Sequence, residues 1–225
     1  MSARSEATIA AVAVVLVIGA IKHAAGAYPA HAAVGVAAAV AWQLYVPLAA
    51  TWRRRDPLRR LGLHPDAWRT DLRWLLGLSA ATVAPFAAGH HVWQTALCDR
   101  SLQLRLPDGI SLSVLGAVLP VIAVALAEEV YFRGYLQERL TVVWPPRRRL
   151  FGTPVGRAVV VTSAVFALAH FAGDYRLHRL GPFFPSLLFG FLRARTGSVL
   201  AAAGYHAVCN LMADALSSQY RAAGP

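Results

Sequence analysis

The chain has 225 residues, 57% of them hydrophobic, with a mean hydropathy of +0.48 and a formal net charge of +11. Apolar runs approach the roughly 20 residues that a bilayer-spanning helix needs, which excludes a large soluble domain and fits an integral membrane protein. The excess charge does not point to nucleic acid, because the arginines sit between the apolar runs without interleaved base-stacking aromatics.

In chain order the pattern predicts an all-α, polytopic membrane bundle of about seven transmembrane helices forming one domain over 1–225. The spans run Thr8 to Ile21, His31 to Ala50, Asp71 to Ala88, Ile110 to Leu136, Arg157 to Phe171, Leu180 to Leu192 and Ser198 to Leu216. The first follows Arg4 but has no convincing cleavage site and is followed by further spans, so it reads as a retained helix. Between spans two and three, Arg60 to Arg73 mixes Leu61, Leu63, Trp68 and Leu72 with charge and reads as an amphipathic piece at the interface. Basic clusters at Arg53 to Arg55 with Arg59 and Arg60, at Arg147 to Arg149, and at Arg193 with Arg195 follow the positive-inside rule and suit anionic lipid headgroups. Placing them on one side puts the N-terminus in the cytoplasm and the loop His90 to Asp108 outside. It also sets Glu128 toward the inner end of span four and His170 toward the outer end of span five. That conflict softens if span four continues as a long helix through Tyr135, with Glu128 near its middle.

Inside these spans lie ionisable side chains, each costing at least about 2.5 to 3.5 kcal/mol at bilayer depth. In Ala125 to Leu140, Glu129 and Arg133 are four residues apart and share a face, whereas Glu128 is turned by about 100°. Glu129 is therefore expected to be the counter-ion of Arg133, a structural pair, and Glu128 to face a cavity as a general base. Phe166 and His170 share a face one turn apart, as do His206 and Asn210. Taken singly, each group also reads as a hydrogen-bonded interior residue, as helix–helix glue or as a structural ion pair. Their occurrence together in three spans points to an intramembrane site.

The order EExxxR (Glu128 to Arg133), FxxxH (Phe166 to His170) and HxxxN (His206 to Asn210) resembles the CAAX-protease and bacteriocin-processing family of intramembrane glutamic endopeptidases. The resemblance covers mainly 109–216, with the Leu61-Gly62-Leu63 segment also family-like. It implies an active site inside the bundle and cleavage of a membrane-anchored protein or peptide near its C-terminus. By position, Glu128 and His170 would activate water, His206 and Asn210 would stabilise the oxyanion, and Glu129, Arg133 and Phe166 would support the site. Ser163 and Cys209 show no triad around them.

Glu128, His170 and His206 could instead hold zinc with water as fourth ligand, but there is no HExxH and Asn210 is a poor zinc ligand; the expected mechanism uses no metal or other cofactor. The competing readings are a non-catalytic protein of the same fold, serving immunity or scaffolding, and a small proton-coupled transporter. His31, His64, His90 and His91 read as interfacial anchors. Asp174, Arg176, His178 and Arg179 read as a solvated loop in preference to a substrate contact, and Asp214 equally as an extension of the Asn210 face or as a structural hydrogen bond. Cys98 and Cys209 suggest neither a disulfide nor a metal site. The alanine- and arginine-rich chain looks bacterial, which places it in the cytoplasmic (inner) membrane and favours sorting tails or bacteriocin-like peptides over prenylated CAAX-like tails. The sequence does not fix an oligomeric state.

Overall fold

The computed structural model describes residues 1–104 and 112–222. It is helical, with α1 (Ala3–Ala27), α2 (Ala32–Arg54), α3 (Trp68–Val92), α4 (Leu112–Glu129), α5 (Gln137–Val143), α6 (Arg157–Phe171), α7 (Phe183–Thr196) and α8 (Leu200–Ser217). A π-helical segment, Val130–Leu136, joins α4 to α5, so these form one rod, and the described residues contain six further α-helices beside it, α1, α2, α3, α6, α7 and α8. The beginning of the expected fourth span at Ile110, and the end of the loop reaching Asp108, lie outside the described residues.

Local chemistry sets the helix ends. Ser2 accepts from the Ser5 amide at 3.1 Å, and Glu6 in the first turn meets the positive end of the α1 dipole. Gly197 stops α7 in the left-handed conformation at φ +75°. Pro47, Pro85 and Pro120 lie within α2, α3 and α4, as tertiary packing allows in membrane helices.

Among the described residues three helical stretches, Ala3–Ala27, Pro29–Arg54 and Trp68–Leu97, are long and apolar enough to cross a membrane. At 1.5 Å per residue, α6 and α7 reach only about 21–23 Å. These shorter helices enclose the site together with α4, the π segment and α8. α1 lays a stripe of Ala7, Ala10, Val14 and Ile18 against the core, at the three- and four-residue spacing of one helical face. Trp42 of α2 stacks on Tyr131 with ring centres 5.0 Å apart, and Tyr131 donates to the Ala10 carbonyl at 2.9 Å. The whole π segment is buried.

The basic loops meet at one end of the bundle. Arg193 donates to the Arg60 carbonyl at 2.9 Å, Arg195 to Phe151, and Arg54 pairs with Glu6 beside the Tyr135 hydroxyl. Glu128 lies near the middle of the continuous α4–π–α5 rod, the arrangement expected to soften the conflict between its depth and that of His170.

Several expectations need correction. Arg60 to Arg73 is not a separate amphipathic element: Leu58–Leu61 is a short 3-10 turn with Leu61 buried, and α3 already begins at Trp68. Gly62, at φ +76°, lets this turn close on the start of α8, where the Val199 amide donates to the Gly62 carbonyl at 3.1 Å. Two small antiparallel sheets supplement the helices, β1 (Arg100–Leu102) with β4 (Tyr220–Ala222) and β2 (Arg148–Leu150) with β3 (Thr153–Val155). His64 is not a lipid anchor, because its Nε2 reaches the Gly197 carbonyl at 3.2 Å. His91 bonds the Tyr220 hydroxyl at 2.8 Å and His90 bonds Gln94 at 3.1 Å, so both fasten the sheet end of the bundle.

Gly134 lies where a Cβ would overlap the Leu61 backbone carbonyl, which no side-chain rotation can relieve. Gly134→Ala is expected to destabilise the protein by about 1–3 kcal/mol. Gly89→Ala, with open space around the position, should be neutral or mildly stabilising. Thermal unfolding of the two variants in detergent micelles checks the contrast.

Candidate active site

The EExxxR motif straddles a change of helix type: Glu128 and Glu129 end α4, and Arg133 lies within the π segment. π segments inside α-helices frequently occur at functional sites. The ion pair inferred from spacing is present, with Arg133 Nε 3.2 Å from Glu129 Oε2 and both side chains fully buried. Arg133 also donates through Nη2 to the Ser186 hydroxyl at 2.7 Å and to its carbonyl at 3.1 Å. Its guanidinium carbon lies 4.7 Å from the Phe166 ring centre and 5.1 Å from that of Phe189, so aromatic faces replace part of its lost hydration.

Glu129 does more than balance Arg133. Its second oxygen lies 3.0 Å from His206 Nδ1, whose ring stacks on Phe189 with centres 4.6 Å apart. An ionised carboxylate only accepts, so this contact assigns a proton to Nδ1 and turns Nε2 toward Glu128. Glu128 Oε2 lies 3.6 Å from that nitrogen. Glu128 is thus not the isolated carboxylate that helical spacing alone suggests, although it retains 16% side-chain exposure while Glu129 has none.

His170 closes α6, within electrostatic reach of Glu128. Its Nδ1 donates to the Phe166 carbonyl at 2.9 Å, and the two rings are 4.4 Å apart. Committing that proton to the backbone leaves the Nε2 lone pair available to a water molecule. Asn210 stands one turn beyond His206 on α8, half-buried and without a hydrogen bond among the described residues. Asp214 is exposed and does not extend this buried face. Ser163 is buried and its hydroxyl has no partner among the described residues, so no base activates it.

Two supporting residues were not singled out in the sequence. Lys22 of α1 donates to the Ala169 and His170 carbonyls, both at 3.0 Å, and so caps the α6 end that carries His170. Glu6 accepts from Tyr135 at 3.0 Å and pairs with Arg54, fixing α1 and α2 to the end of the π segment. A lysine directly after the apolar first span was a visible signal, but its partners lie about 147 positions away in sequence.

In the loop after His170, Asp174 is held well below the usual carboxylate range by hydrogen bonds from Arg176 and then Arg179. A carboxylate fixed in this way is not a free base, which agrees with a solvated connection. Oxygen and imidazole donors of the kind that Glu128, His170 and His206 supply would suit zinc. Yet among the described residues no three His, Cys, Asp or Glu side chains are arranged to hold a metal ion, so no reaction step is derived through one.

Arg133→Met would strand the Glu129 charge and is expected to cost about 3–5 kcal/mol. Adding Glu129→Gln to that variant removes the stranded charge and should recover part of the loss. Denaturant or thermal unfolding of the single and double variants checks this.

Residues 110–212, a little under half of the chain, match the family described as type II CAAX prenyl endopeptidase Rce1-like. Neither the curated proteins nor the solved structures contain a match. All three motifs fall inside the matched segment, and a helical bundle surrounds them. Residues 110–212 are therefore similar to the Rce1-like family of type II CAAX prenyl endopeptidases, in agreement with the resemblance carried by EExxxR, FxxxH and HxxxN.

Proposed function

We propose that the chain is an intramembrane endopeptidase in which Glu128 and His170 activate water for attack on a peptide bond near the C-terminus of a membrane-anchored substrate. The observation carrying this reading is the unequal environment of two adjacent carboxylates. Glu129 is fully buried against Arg133 and His206, whereas Glu128 keeps partial exposure on the His206 Nε2 side. Environments that differ in this way divide neighbouring carboxylates between roles.

In this mechanism a water molecule sits between Glu128 and the Nε2 lone pair of His170. Glu128 accepts its proton as the oxygen attacks the carbonyl carbon. Asn210, together with His206 when Nε2 carries a proton, donates to the oxyanion of the tetrahedral intermediate. Glu128 then returns the proton to the leaving amine as the C–N bond breaks. Phe166, Phe189 and the Glu129–Arg133 pair hold the His206 and His170 rings in place. No step requires a metal or other cofactor.

On the other side of Glu129, Arg133 is enclosed by Ser186 and by the Phe132, Phe166 and Phe189 rings. The substrate class is a protein or peptide with a hydrophobic tail, with bacterial sorting tails or bacteriocin-like peptides preferred to prenylated CAAX-like tails. The proposed location is the bacterial inner membrane, with the basic loops and N-terminus cytoplasmic.

In proteoliposomes supplied with anchored reporter peptides of these three kinds, mass spectrometry should detect a C-terminal cleavage product. Glu128→Gln should reduce its formation by at least about 100-fold, the scale of a general-base contribution. Asn210→Ala should lower the rate by about 10²–10³-fold, as loss of an oxyanion donor does. Dialysis against a chelator should leave activity unchanged. Full cleavage by Glu128→Gln rejects the assigned base, and loss on chelation with recovery on adding zinc rejects the metal-free mechanism.

A further inference from the structure

A groove of about 850 Å³ lies at the basic end of the bundle, between α6, α7 and the β2–β3 hairpin. It is separate from the polar set, since neither carboxylate nor histidine of that set lines it. Val160, Leu187 and Phe191 contribute its apolar wall, and Trp144 also lines it. Arg147, Arg148 and Arg157 supply its charged lining. Val160 is 51% exposed, so the wall is open to its surroundings.

The charge along this groove is uncompensated. None of the three arginines is paired with a carboxylate among the described residues, and nearby Glu138 is engaged by Arg139. The hairpin is held independently of them, by Arg149 donating to the Gly152 carbonyl at 3.1 Å and Arg195 to Phe151. Arg147 and Arg148 follow the end of the α4–π–α5 rod, and Arg157 begins α6, so all three lie where spans end. A tryptophan and several arginines at a span end mark the headgroup level of a bilayer. Three unpaired guanidinium groups beside an open apolar wall match a ligand with a phosphate at one end and a hydrocarbon chain at the other.

We propose that this groove binds one anionic phospholipid, with its phosphate held by Arg147, Arg148 and Arg157 and an acyl chain along Val160, Leu187 and Phe191. The lipid would brace the hairpin against the α6–α7 pair. The inference does not depend on the proteolytic reading.

The full chain in detergent is titrated with phosphatidylglycerol or phosphatidylcholine, and bound lipid is counted by native mass spectrometry. The expected result is at least a tenfold preference for phosphatidylglycerol, abolished in R147Q/R148Q/R157Q and kept in R53Q/R55Q, which removes exposed arginines elsewhere at the same end. Val160→Trp, which fills the groove without changing charge, should also weaken phosphatidylglycerol binding at least tenfold. Equal binding of the two lipids overturns the proposal. So does an equal loss in R53Q/R55Q, which would indicate a diffuse basic surface, or unchanged binding in Val160→Trp. If the triple variant does not fold, the Val160→Trp result and the lipid preference of the unaltered chain decide the question.

Discussion

The bundle is organised around a charge that has no access to water. Arg133 and Glu129 are fully buried, and removing either partner would leave the other in a medium that solvates ions poorly. Their burial requires partners from other helices: Ser186 from α7, His206 from α8, and the rings of Phe166 and Phe189. Four elements are thereby held to one point. The same contacts that compensate the ion pair also orient the imidazole facing Glu128.

Orientation passes outward through successive contacts. Ser186 fixes Arg133, Arg133 balances Glu129, and Glu129 holds His206 Nδ1. The α6 end is secured differently, since Lys22 of α1 takes the carbonyls that the terminating helix leaves unpaired. Thus α1, which lies outside the family match, anchors the element that carries His170. The close approach of the Leu61 turn to Gly134 ties a basic loop to the same π segment.

This division of labour separates protein stability from proposed chemistry within two consecutive residues. Glu129 is committed on both oxygens, one to a guanidinium and one to an imidazole. Glu128 has no guanidinium partner of this kind, stands 3.6 Å from His206 Nε2 and keeps 16% side-chain exposure. A base that exchanges protons needs that access, whereas a structural counter-ion is strengthened by its absence.

Hydropathy and charge pattern alone determined that the chain is a helical membrane bundle, because bilayer thickness and the positive-inside rule act on local composition. Helical spacing likewise identified the Glu129–Arg133 pair and the Phe166–His170 stack, since residues one turn apart meet whatever surrounds them. The motif order carried the family resemblance, although Trp68 to Arg73 of the expected interface segment proved to be the beginning of α3. Only the tertiary structure decided that Glu129 also holds His206, that Glu128 faces the same ring and that Lys22 caps α6. Those contacts join positions separated by 77 or more residues, and helical periodicity fixes which face a side chain occupies without saying which helix will be packed against it.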